Sequence, residues 1–588
     1  MNSHPFFCIM KHEVLGLSGR TGTMKRKTGT IVIISGLIAL ALGFCVEVIL
    51  LTFRPDNVDP SLPRQMNGLN ILLVFLISWP VLFTLLGVRH GIIPLRNEKW
   101  KRILAPGSIL KHLPTGVIRE EKAFLIIALV AGFFILFLTP PLTAPDEQAH
   151  FTCVWPIGQG QLLAQPDENG SCYRTYPAEW SDFLGEYPGR LIGMENTEKF
   201  SFDDIRKAAA LTPETEETCR SYVAGVSLGY GFSALGMGIF SALGRWIGIP
   251  LFNSVYFQIQ IGRLFNLLFY VFVIYRAIRR TPHFRRTMLM LSCMPMTLYL
   301  ACSLSYDAIM IPVVFYYIAL ILSLCTEPEK KLTGGEIARV FLCVFMLTAV
   351  KYAYAPLLAM LLAVPRKKYG SAGRLVLCIG GAVIAGALGF LPTILQNSLS
   401  AGMDAEARAA TAAGQQSLWL REHPDRIPWL FWNTLQVRGA SWVISFWGCL
   451  GWLDVHIPYY FISIGVFGIF VTALYEGCSW RGWAGQRWKN ILPFAGVVIS
   501  LTGIALTMYI EHTTLFYPVG GDLIEGIQGR YFIPCFLPMV LALSNNRLNK
   551  FESMKKETAG QGMSLMAVIW SVGCALVTIG TLLFRYWI

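Results

Sequence analysis

Residues 122–141 read KAFLIIALVAGFFILFLTPP, an apolar run with a single charge at its start. A run of about 20 apolar residues is long enough to cross a hydrocarbon core of ~30 Å as an α-helix. Similar runs recur along the chain, and each must be helical in lipid because its backbone polar groups find no water there. The sequence therefore predicts an all-α polytopic membrane protein.

The composition agrees with this fold class. Of the 588 residues, 54% are hydrophobic and 14% are charged, whereas a soluble domain carries about 25% charged residues. The net charge of +13 comes from short basic clusters between apolar runs. That pattern orients membrane proteins, so we expect membrane lipids around the chain and no nucleic-acid partner.

Eleven apolar runs are predicted to cross the membrane. They lie near 30–52, 69–91, 122–141, 254–276, 287–303, 306–324, 375–395, 458–476, 490–510, 530–545 and 563–585. We interpret residues 223–249 as interfacial helices, because this segment has many glycines and an internal Arg245. Residues 339–364 are predicted to form a buried helical hairpin that turns near Lys351. The count is therefore about 11–13 transmembrane helices.

Charge asymmetry orients these spans. The loop Arg89–Lys122 has eight Lys and Arg against three Glu, whereas Leu142–Tyr222 holds 14 acidic and six basic residues. We therefore predict a cytoplasmic N-terminus and a cytoplasmic cluster Arg276–Arg286, and a first long loop outside the cell. Sequence does not decide whether translation begins at Met1 or at Met24.

Three regions follow from this order. Residues 1–121 carry two additional spans and a basic cytoplasmic loop. Residues 122–545 form the core, with outer loops at 142–253 and 397–458, and residues 546–588 hold a cytoplasmic loop and the last span.

One motif at the outer end of the third span gathers ionisable groups. The prolines of Pro140-Pro141-Leu142-Thr143-Ala144-Pro145 end that span, and Asp146, Glu147 and His150 follow. In a new helix, Asp146 and Glu147 lie four and three positions from His150 and so share its face. The cluster suits a general base or a metal site; the alternative is an ordinary helix start with acids near the dipole.

Further ionisable residues lie in or beside apolar runs. Arg263 is in the middle of a run, whereas Asp307, Lys351 and Arg530 fall at predicted outer ends of helices. Charges at such depth are costly and usually face an internal cavity, although each could also pair with a neighbour or extend to the interface. We expect one outer cavity to collect them, within reach of Trp452 and Asp454.

The outer loops leave two alternatives open. The loop 397–458 holds six tryptophans, which form either an interfacial aromatic belt or a platform for a sugar. In the first loop, Cys172 and Cys219 either form a disulfide or remain free thiols.

The motif Pro145-Asp146-Glu147-x-x-His150-Phe151 resembles the signature of a bacterial family of predicted multi-spanning membrane proteins of unknown function. Four further segments resemble the same family in order, over about residues 122–545. They are Ser303-x-Ser305-x-Asp307, Lys351-x-x-Tyr354-x-Pro356, Leu450-Gly451-Trp452-Leu453-Asp454 and Gln528-Gly529-Arg530-Tyr531-x-x-Pro534.

That family in turn resembles the GT-C glycosyltransferases, with many helices, long extracytoplasmic loops and an acidic residue after an early span. The resemblance implies a GT-C-like bundle in the bacterial plasma membrane with its active site on the extracytoplasmic face. It also implies an inverting transferase that moves a sugar from a polyprenyl-phosphate donor to a glycan, lipid or protein acceptor. A flippase or transporter of lipid-linked saccharides, or a polymerase or ligase, is the alternative.

On this hypothesis Asp146 is the catalytic base, supported by Glu147 and His150. The predicted donor-phosphate ligands are Lys351, Arg530, Arg263, Tyr354 and Tyr531, and the predicted cavity residues are Asp307, Trp452 and Asp454. The sequence identifies no cofactor, and it leaves open a divalent cation (Mg or Mn) held by Glu147 and His150. The sugar, the acceptor and the oligomeric state do not follow from the sequence.

Overall fold

Helices form over the apolar runs of the chain. The computed structural model describes residues 119–588 apart from 169–170, 223–226, 328, 400–410, 480–486 and 545–556, together with scattered helical positions between residues 32 and 79. In chain order, α1 to α17 are Glu120–Leu138, Glu147–Gly158, Ser181–Leu191, Phe202–Ala210, Gly231–Ile247, Val255–Arg280, Arg285–Ser292, Pro295–Ala301, Asp307–Thr326, Gly334–Lys351, Ala372–Leu399, Ala412–Glu422, Ile427–Gly448, Tyr459–Ser479, Ile491–Glu511, Ile533–Leu543 and Glu557–Tyr586. The predicted all-α polytopic class is confirmed, since eight helical segments in this part of the chain are long and apolar enough to cross a membrane.

Short elements complete the chain. The 3₁₀ segments are Ala178–Trp180, Leu228–Tyr230, Pro250–Asn253, Tyr352–Ala363, Arg366–Tyr369, Pro424–Arg426, Arg487–Asn490, Thr513–Leu515 and Gly529–Phe532. The strands β1 to β5 are Gln165–Pro166, Cys172–Pro177, Thr218–Ser221, Cys449–Leu450 and Val455–His456. They form two antiparallel sheets, β1-β2-β3 and β4-β5.

The chain divides into two compact units. The first combines Met1–Val117, Tyr459–Val471 and Arg547–Met563, and the second combines Ile118–Pro458, Thr472–Asn546 and Ser564–Ile588. Within the first unit, Trp79 Nε1 donates to Ser35 Oγ over 3.1 Å, so the segments predicted as the first two spans touch. Most of 30–52 and 69–91, the basic loop 89–118, and Met1 and Met24 lie outside the described residues.

Within the second unit, α9 forms the centre and α11 the edge. In the apolar 18-residue stretch of each helix, 89% of the residues are buried in α9 and 11% in α11. The apolar side chains that α11 exposes, such as Val376, Leu377 and Leu388, are suited to lipid contact. Asp307, the first residue of α9, therefore begins the most enclosed of the eight candidate spans.

Two predicted spans are interrupted or short. Residues 287–303 form α7 and α8 instead of one helix, because Pro295 lacks an N–H and holds Met294 in an extended conformation (φ −57°, ψ 145°). The predicted span 530–545 instead contains the end of the 3₁₀ segment Gly529–Phe532 and the short helix α16, Ile533–Leu543. Pro534 lies in the first turn of this helix.

The predicted hairpin at 339–364 returns to the side on which it starts. The backbone of Lys351 breaks the helix with φ −156° and ψ 94°, and Tyr352–Ala363 continues as a 3₁₀ helix. Leu332 N donates to Lys368 O over 2.9 Å, so the two ends of the segment meet. Lys351 therefore lies at the turn, far from both ends.

The segment 223–249 contributes α5, which packs antiparallel along α6. Phe240 contacts Phe257 at 5.4 Å between ring centroids, and Phe232 contacts Phe269 at 4.2 Å. Its position in the membrane interface stays a prediction. In the second predicted outer loop, residues 427–448 form the 22-residue helix α13, which sequence analysis did not anticipate.

Cys172 and Cys219 are not joined by a disulfide. Pro166 is the partner of Cys172 between β1 and β2, whereas Tyr176 is the partner of Cys219 between β2 and β3. The two cysteines are thus offset by four residues, or roughly 13 Å of strand. A disulfide needs Cα atoms within about 7 Å, so this arrangement favours the alternative without a disulfide.

Candidate functional site

Two cations that are far apart in sequence meet at one tyrosine ring. Lys351 Nζ lies 4.2 Å from the ring centroid of Tyr531, and Arg530 Cζ lies 5.4 Å from it. Lys351 Nζ also lies 4.8 Å from the ring of Tyr306. The expected approach of the two cations is therefore present, with tyrosines as its framework.

The surroundings of Lys351 are aromatic. Its Nζ is buried, and among the described residues it has no hydrogen-bond partner. Cation–π contacts contribute only about 0.5–2 kcal/mol each, whereas a buried ammonium without hydrogen bonds is strongly disfavoured. An anion that reached this ammonium would therefore be bound favourably.

Arg530 links the cation pair to two carboxylates. Its Nη2 donates to Asp146 Oδ2 over 2.6 Å, and its Nε lies 3.6 Å from Asp307 Oδ2. The Asp146 side chain is 49% exposed, whereas that of Asp307 is 6% exposed. Asp146 is thus the carboxylate of this group that a second molecule can reach.

Asp146 lies directly before α2 and has an unusual backbone conformation. Asp146 has φ 58° and ψ 14°, in the left-handed region. Among residues other than glycine, aspartate tolerates this conformation better than most, but at a cost in free energy. The side chain makes no capping hydrogen bond to α2, which removes the main structural argument for an acid at this position.

Glu147 and Arg263 form the buried support of the site. Arg263 Nε donates to Glu147 Oε1 over 2.8 Å, and Nη1 and Nη2 donate to the carbonyls of Thr139 and Pro140 over 2.8 and 2.9 Å. Glu147 Oε1 also accepts from Leu304 N over 3.1 Å. These contacts occupy the donors of Arg263, so we assign it to the support of the motif instead of to the phosphate.

The serines before Asp307 continue this support. Ser305 N donates to Ser303 Oγ and Asp307 N donates to Ser305 Oγ, each over 3.2 Å. Asn266 Nδ2 donates to Ser303 O over 2.8 Å. Side chains from α2 and α6 thus fix the turn that presents Asp307 to Arg530.

His150 is buried beside the same cluster. Its Nδ1 lies 2.9 Å from Tyr230 Oη, and its ring contacts Tyr306 edge-to-face at 5.3 Å. Burial, and then the charge of Arg530, lower the pKa of His150 to about 4. His150 is therefore neutral at physiological pH.

The 3₁₀ segment that carries Arg530 is pressed against α13. Gly529 N donates to Ser445 Oγ over 2.9 Å, and a Cβ at Gly529 would lie 2.0 Å from Trp442 O. Only glycine allows this approach. From the other side, Tyr354 Oη donates to Tyr531 O over 2.9 Å, so Tyr354 positions the segment as well as contributing its ring.

Trp452 and Asp454 connect the two loops that are predicted to lie outside. Trp452 Nε1 donates to Leu142 O over 3.0 Å, and Asp454 Oδ2 accepts from Gly193 N over 2.7 Å. No hydrogen bond or ion pair found in the described residues joins either side chain to Lys351 or Arg530. Their contacts hold the chain on both sides of the Asp146 motif.

The arrangement of the acidic side chains bears on whether the site could hold a divalent cation. Where the structure describes the chain, no three His, Cys, Asp or Glu residues are grouped to hold a metal ion. Both oxygens of Glu147 accept hydrogen bonds from Arg263. The Glu147 carboxylate is therefore engaged by Arg263 at both oxygens.

Two residues of the site were missed from sequence. Tyr306 contacts both Lys351 and His150, and its place directly before Asp307 in the serine motif was the available signal. Tyr230 contacts His150 and lies between two glycines, and nothing in that pattern indicates a site.

The fold and this cluster define a multi-pass membrane protein with a charged internal site at one end of its helices. The sequence profile of the family described as "Predicted membrane protein (DUF2142)" matches residues 129–540, a range that includes every site residue above. The chain belongs to this family. Comparisons with curated proteins and with solved structures found no match.

Proposed function

We propose that this protein is an inverting glycosyltransferase that uses a polyprenyl-phosphate-linked sugar. The observation that carries the proposal is the half-exposed Asp146 carboxylate beside the buried Arg530 and the unpartnered Lys351 ammonium. A base that a hydroxyl can reach and cations for a phosphate are the two things that this reaction needs. The resemblance to GT-C enzymes is the second support.

In the proposed step, the acceptor hydroxyl oxygen bonds to the anomeric carbon of the donor sugar. Asp146 accepts the hydroxyl proton, and the bond between that carbon and the phosphate oxygen breaks. The electron pair stays on the polyprenyl phosphate. Attack from the side opposite to the phosphate inverts the anomeric configuration. A positioned carboxylate typically contributes about 10²–10⁴-fold to such a step.

Lys351 and Arg530 would stabilise the charge that grows on the leaving phosphate. Fixed cations in a site with little water do this most effectively. Arg530 also contacts Asp146, so the phosphate and the base would be held by one guanidinium. Neutral His150 would line the acceptor side, where its buried Nε2 has no hydrogen-bond partner among the described residues.

The proposed location is the extracytoplasmic face of the bacterial plasma membrane. The C-terminal end of α1, the first residue of α9 and the turn at Lys351 all meet at the site. The Arg276–Arg286 cluster begins in the final turns of α6, at the end of that helix far from the site, and basic residues prefer the cytoplasmic side. The site would then face outward, where donors arrive as lipids instead of nucleotides.

The test is a purified protein in proteoliposomes with the lipid-linked sugar added from outside only. Formation of a new glycosidic bond together with release of polyprenyl phosphate supports the proposal. Movement of the donor across the bilayer without a new bond favours the flippase. Transfer of a whole oligosaccharide instead of one sugar favours a polymerase or ligase.

A further inference from the structure

An apolar groove adjoins the cation pair. It lies between α13 and α15 and has a volume of about 370 Å³. Leu435 and Trp442 line it from α13, and Leu501, Ile504 and Ala505 line it from α15. Nearly all of its lining is apolar, and apart from Tyr531 the residues that line it belong neither to the sequence motifs nor to the proposed chemistry.

Tyr531 is shared between the groove and the cations. It lines the groove together with Phe532, and its ring is the one that both Lys351 and Arg530 contact. Lys351 and Arg530 do not line the groove themselves, but both contact the Tyr531 ring, so a molecule in the groove lies one side chain away from two positive charges. The groove has an open side as well, since Leu435 and Trp432 at its edge are 49% and 55% exposed.

The apolar groove and the nearby cation pair together indicate which kind of molecule would bind. The cations favour an anionic head, and the groove favours an apolar tail joined directly to that head. The groove, at about 370 Å³, is small for a lipid tail, so a lipid with one chain fits it better than a lipid with two. A monophosphate with a single hydrocarbon chain has all three properties.

We infer that this groove binds the head-proximal isoprene units of the polyprenyl chain, with the phosphate at Lys351 and Arg530. The inference rests on the proposed function for the identity of the donor. The volume lies near the lower end of the range for ligand pockets, about 300–1,000 Å³. The groove thus takes only the first part of a long chain, and the remainder lies in the bilayer.

The affinity of the protein for a prenyl phosphate should therefore rise with the length of the hydrocarbon tail until the groove is filled, and not beyond that length. We expect farnesyl phosphate and undecaprenyl phosphate to bind the wild-type protein in nanodiscs with similar affinity. Both should bind about tenfold or more tightly than dimethylallyl phosphate, because burial of apolar surface contributes ~25 cal/mol per Å².

The decisive variant is Leu435→Trp, which fills the groove from its exposed edge. We expect it to bind farnesyl phosphate about tenfold more weakly and dimethylallyl phosphate as the wild-type protein does. Ile499→Trp is the matched control, since Ile499 is an exposed residue of α15 that does not line the groove. It should keep the affinity for both ligands.

Three results would overturn the inference. One is equal binding of farnesyl phosphate by Leu435→Trp and Ile499→Trp. Another is displacement of farnesyl phosphate by phosphatidic acid at equal concentration, which would make the groove an ordinary phospholipid site. The third is a wild-type protein that binds none of these phosphates. A wild-type protein that binds them as expected but transfers no sugar refutes the proposed transferase and leaves the groove assignment intact.

Discussion

At the residue scale, an anionic ligand would give the buried Lys351 ammonium the hydrogen-bond partner that it lacks among the described residues. A hydrogen bond to a charged group contributes about 1.5–3 kcal/mol. Replacing Lys351 with Met should therefore weaken the binding of a polyprenyl phosphate by about 10–100-fold. The fold should tolerate the change, since the described contacts of Nζ are to rings alone. Binding to protein in nanodiscs measures the effect.

The control for this variant is Lys367→Met, which removes an exposed lysine paired with Glu329 at 2.8 Å. It should bind the lipid phosphate as the wild-type protein does. If Lys351→Met binds equally well, the cation pair is not the phosphate site.

His150 provides a prediction on pH. Its pKa is 6.5 when solvated and about 4 in the folded protein, where Arg530, Asp146, Asp307 and Glu147 surround it. As the pH falls below 6.5, the unfolded state takes up a proton that the folded state does not. The free energy of unfolding therefore falls with decreasing pH, by on the order of 3 kcal/mol near pH 4.

His150→Gln removes this contribution and retains a hydrogen-bonding side chain toward Tyr230. Thermal unfolding in detergent should show that the melting temperature of the wild-type protein falls more steeply than that of the variant between neutral pH and about pH 4. Parallel curves would mean that the pKa of His150 is the same in the folded and the unfolded protein, and would contradict this account.

At the element scale, Glu147 and Arg263 join α2 to α6 and to the end of α1. Glu147→Gln leaves the Arg263 guanidinium buried without a counter-charge, which typically costs about 3–5 kcal/mol. We expect a marked fall in the melting temperature. The double variant Glu147→Met with Arg263→Met should be more stable than Glu147→Gln, because no buried charge remains.

The control is Asp203→Asn, which disrupts an exposed pair with Lys207 at 3.0 Å and should leave the melting temperature unchanged. A double variant as unstable as Glu147→Gln would mean that the pair contributes hydrogen bonds that methionine cannot replace. A Glu147→Gln variant of normal stability that transfers no sugar would indicate that Glu147 takes part directly in the reaction.

The elements themselves were largely predictable, and their interruptions were partly so. The apolar runs of about 20 residues predicted the positions of seven helices, because each is long enough to cross a membrane. These are α1, α6, α9, α11, α14, α15 and α17. Proline explains why 287–303 is two helices, but a proline in an apolar run is also compatible with a kinked helix, so the sequence alone did not decide. The helix α13 was missed because its tryptophans and Arg438 resemble a loop at the interface.

The site was predictable as a set of charges but not as a set of partners. Depth in an apolar run singled out Arg263, Lys351 and Arg530 alike. Of these three cations, Arg263 is paired with Glu147 and also donates to the carbonyls of Thr139 and Pro140. Only the fold brings those groups together. The sequence singled out Tyr354 and Tyr531 beside the two cations, but the contact between Tyr306 and Lys351 appears only in the fold.

At the scale of the whole molecule, the orientation is the prediction that the function depends on. Glu195 and Arg279 are both exposed, and they lie on predicted outer and inner segments. Glu195→Cys should react with a membrane-impermeant thiol reagent in intact cells, and Arg279→Cys should react only after lysis. The wild-type protein gives the background from native cysteines. The opposite pattern would place the site inside the cell and exclude the proposed donor.

The central claim concerns one carboxylate, and one measurement tests it most directly. Asp146→Asn keeps the size of the side chain and a hydrogen-bonding oxygen toward Arg530 but removes the base. In proteoliposomes that contain a competent donor and acceptor, the initial rate of sugar transfer should fall by about 10²–10⁴-fold. The control Asp522→Asn, which changes an exposed aspartate paired with Arg426 at 3.0 Å, should keep the wild-type rate. An Asp146→Asn protein that is expressed normally and transfers sugar at the wild-type rate would contradict the account.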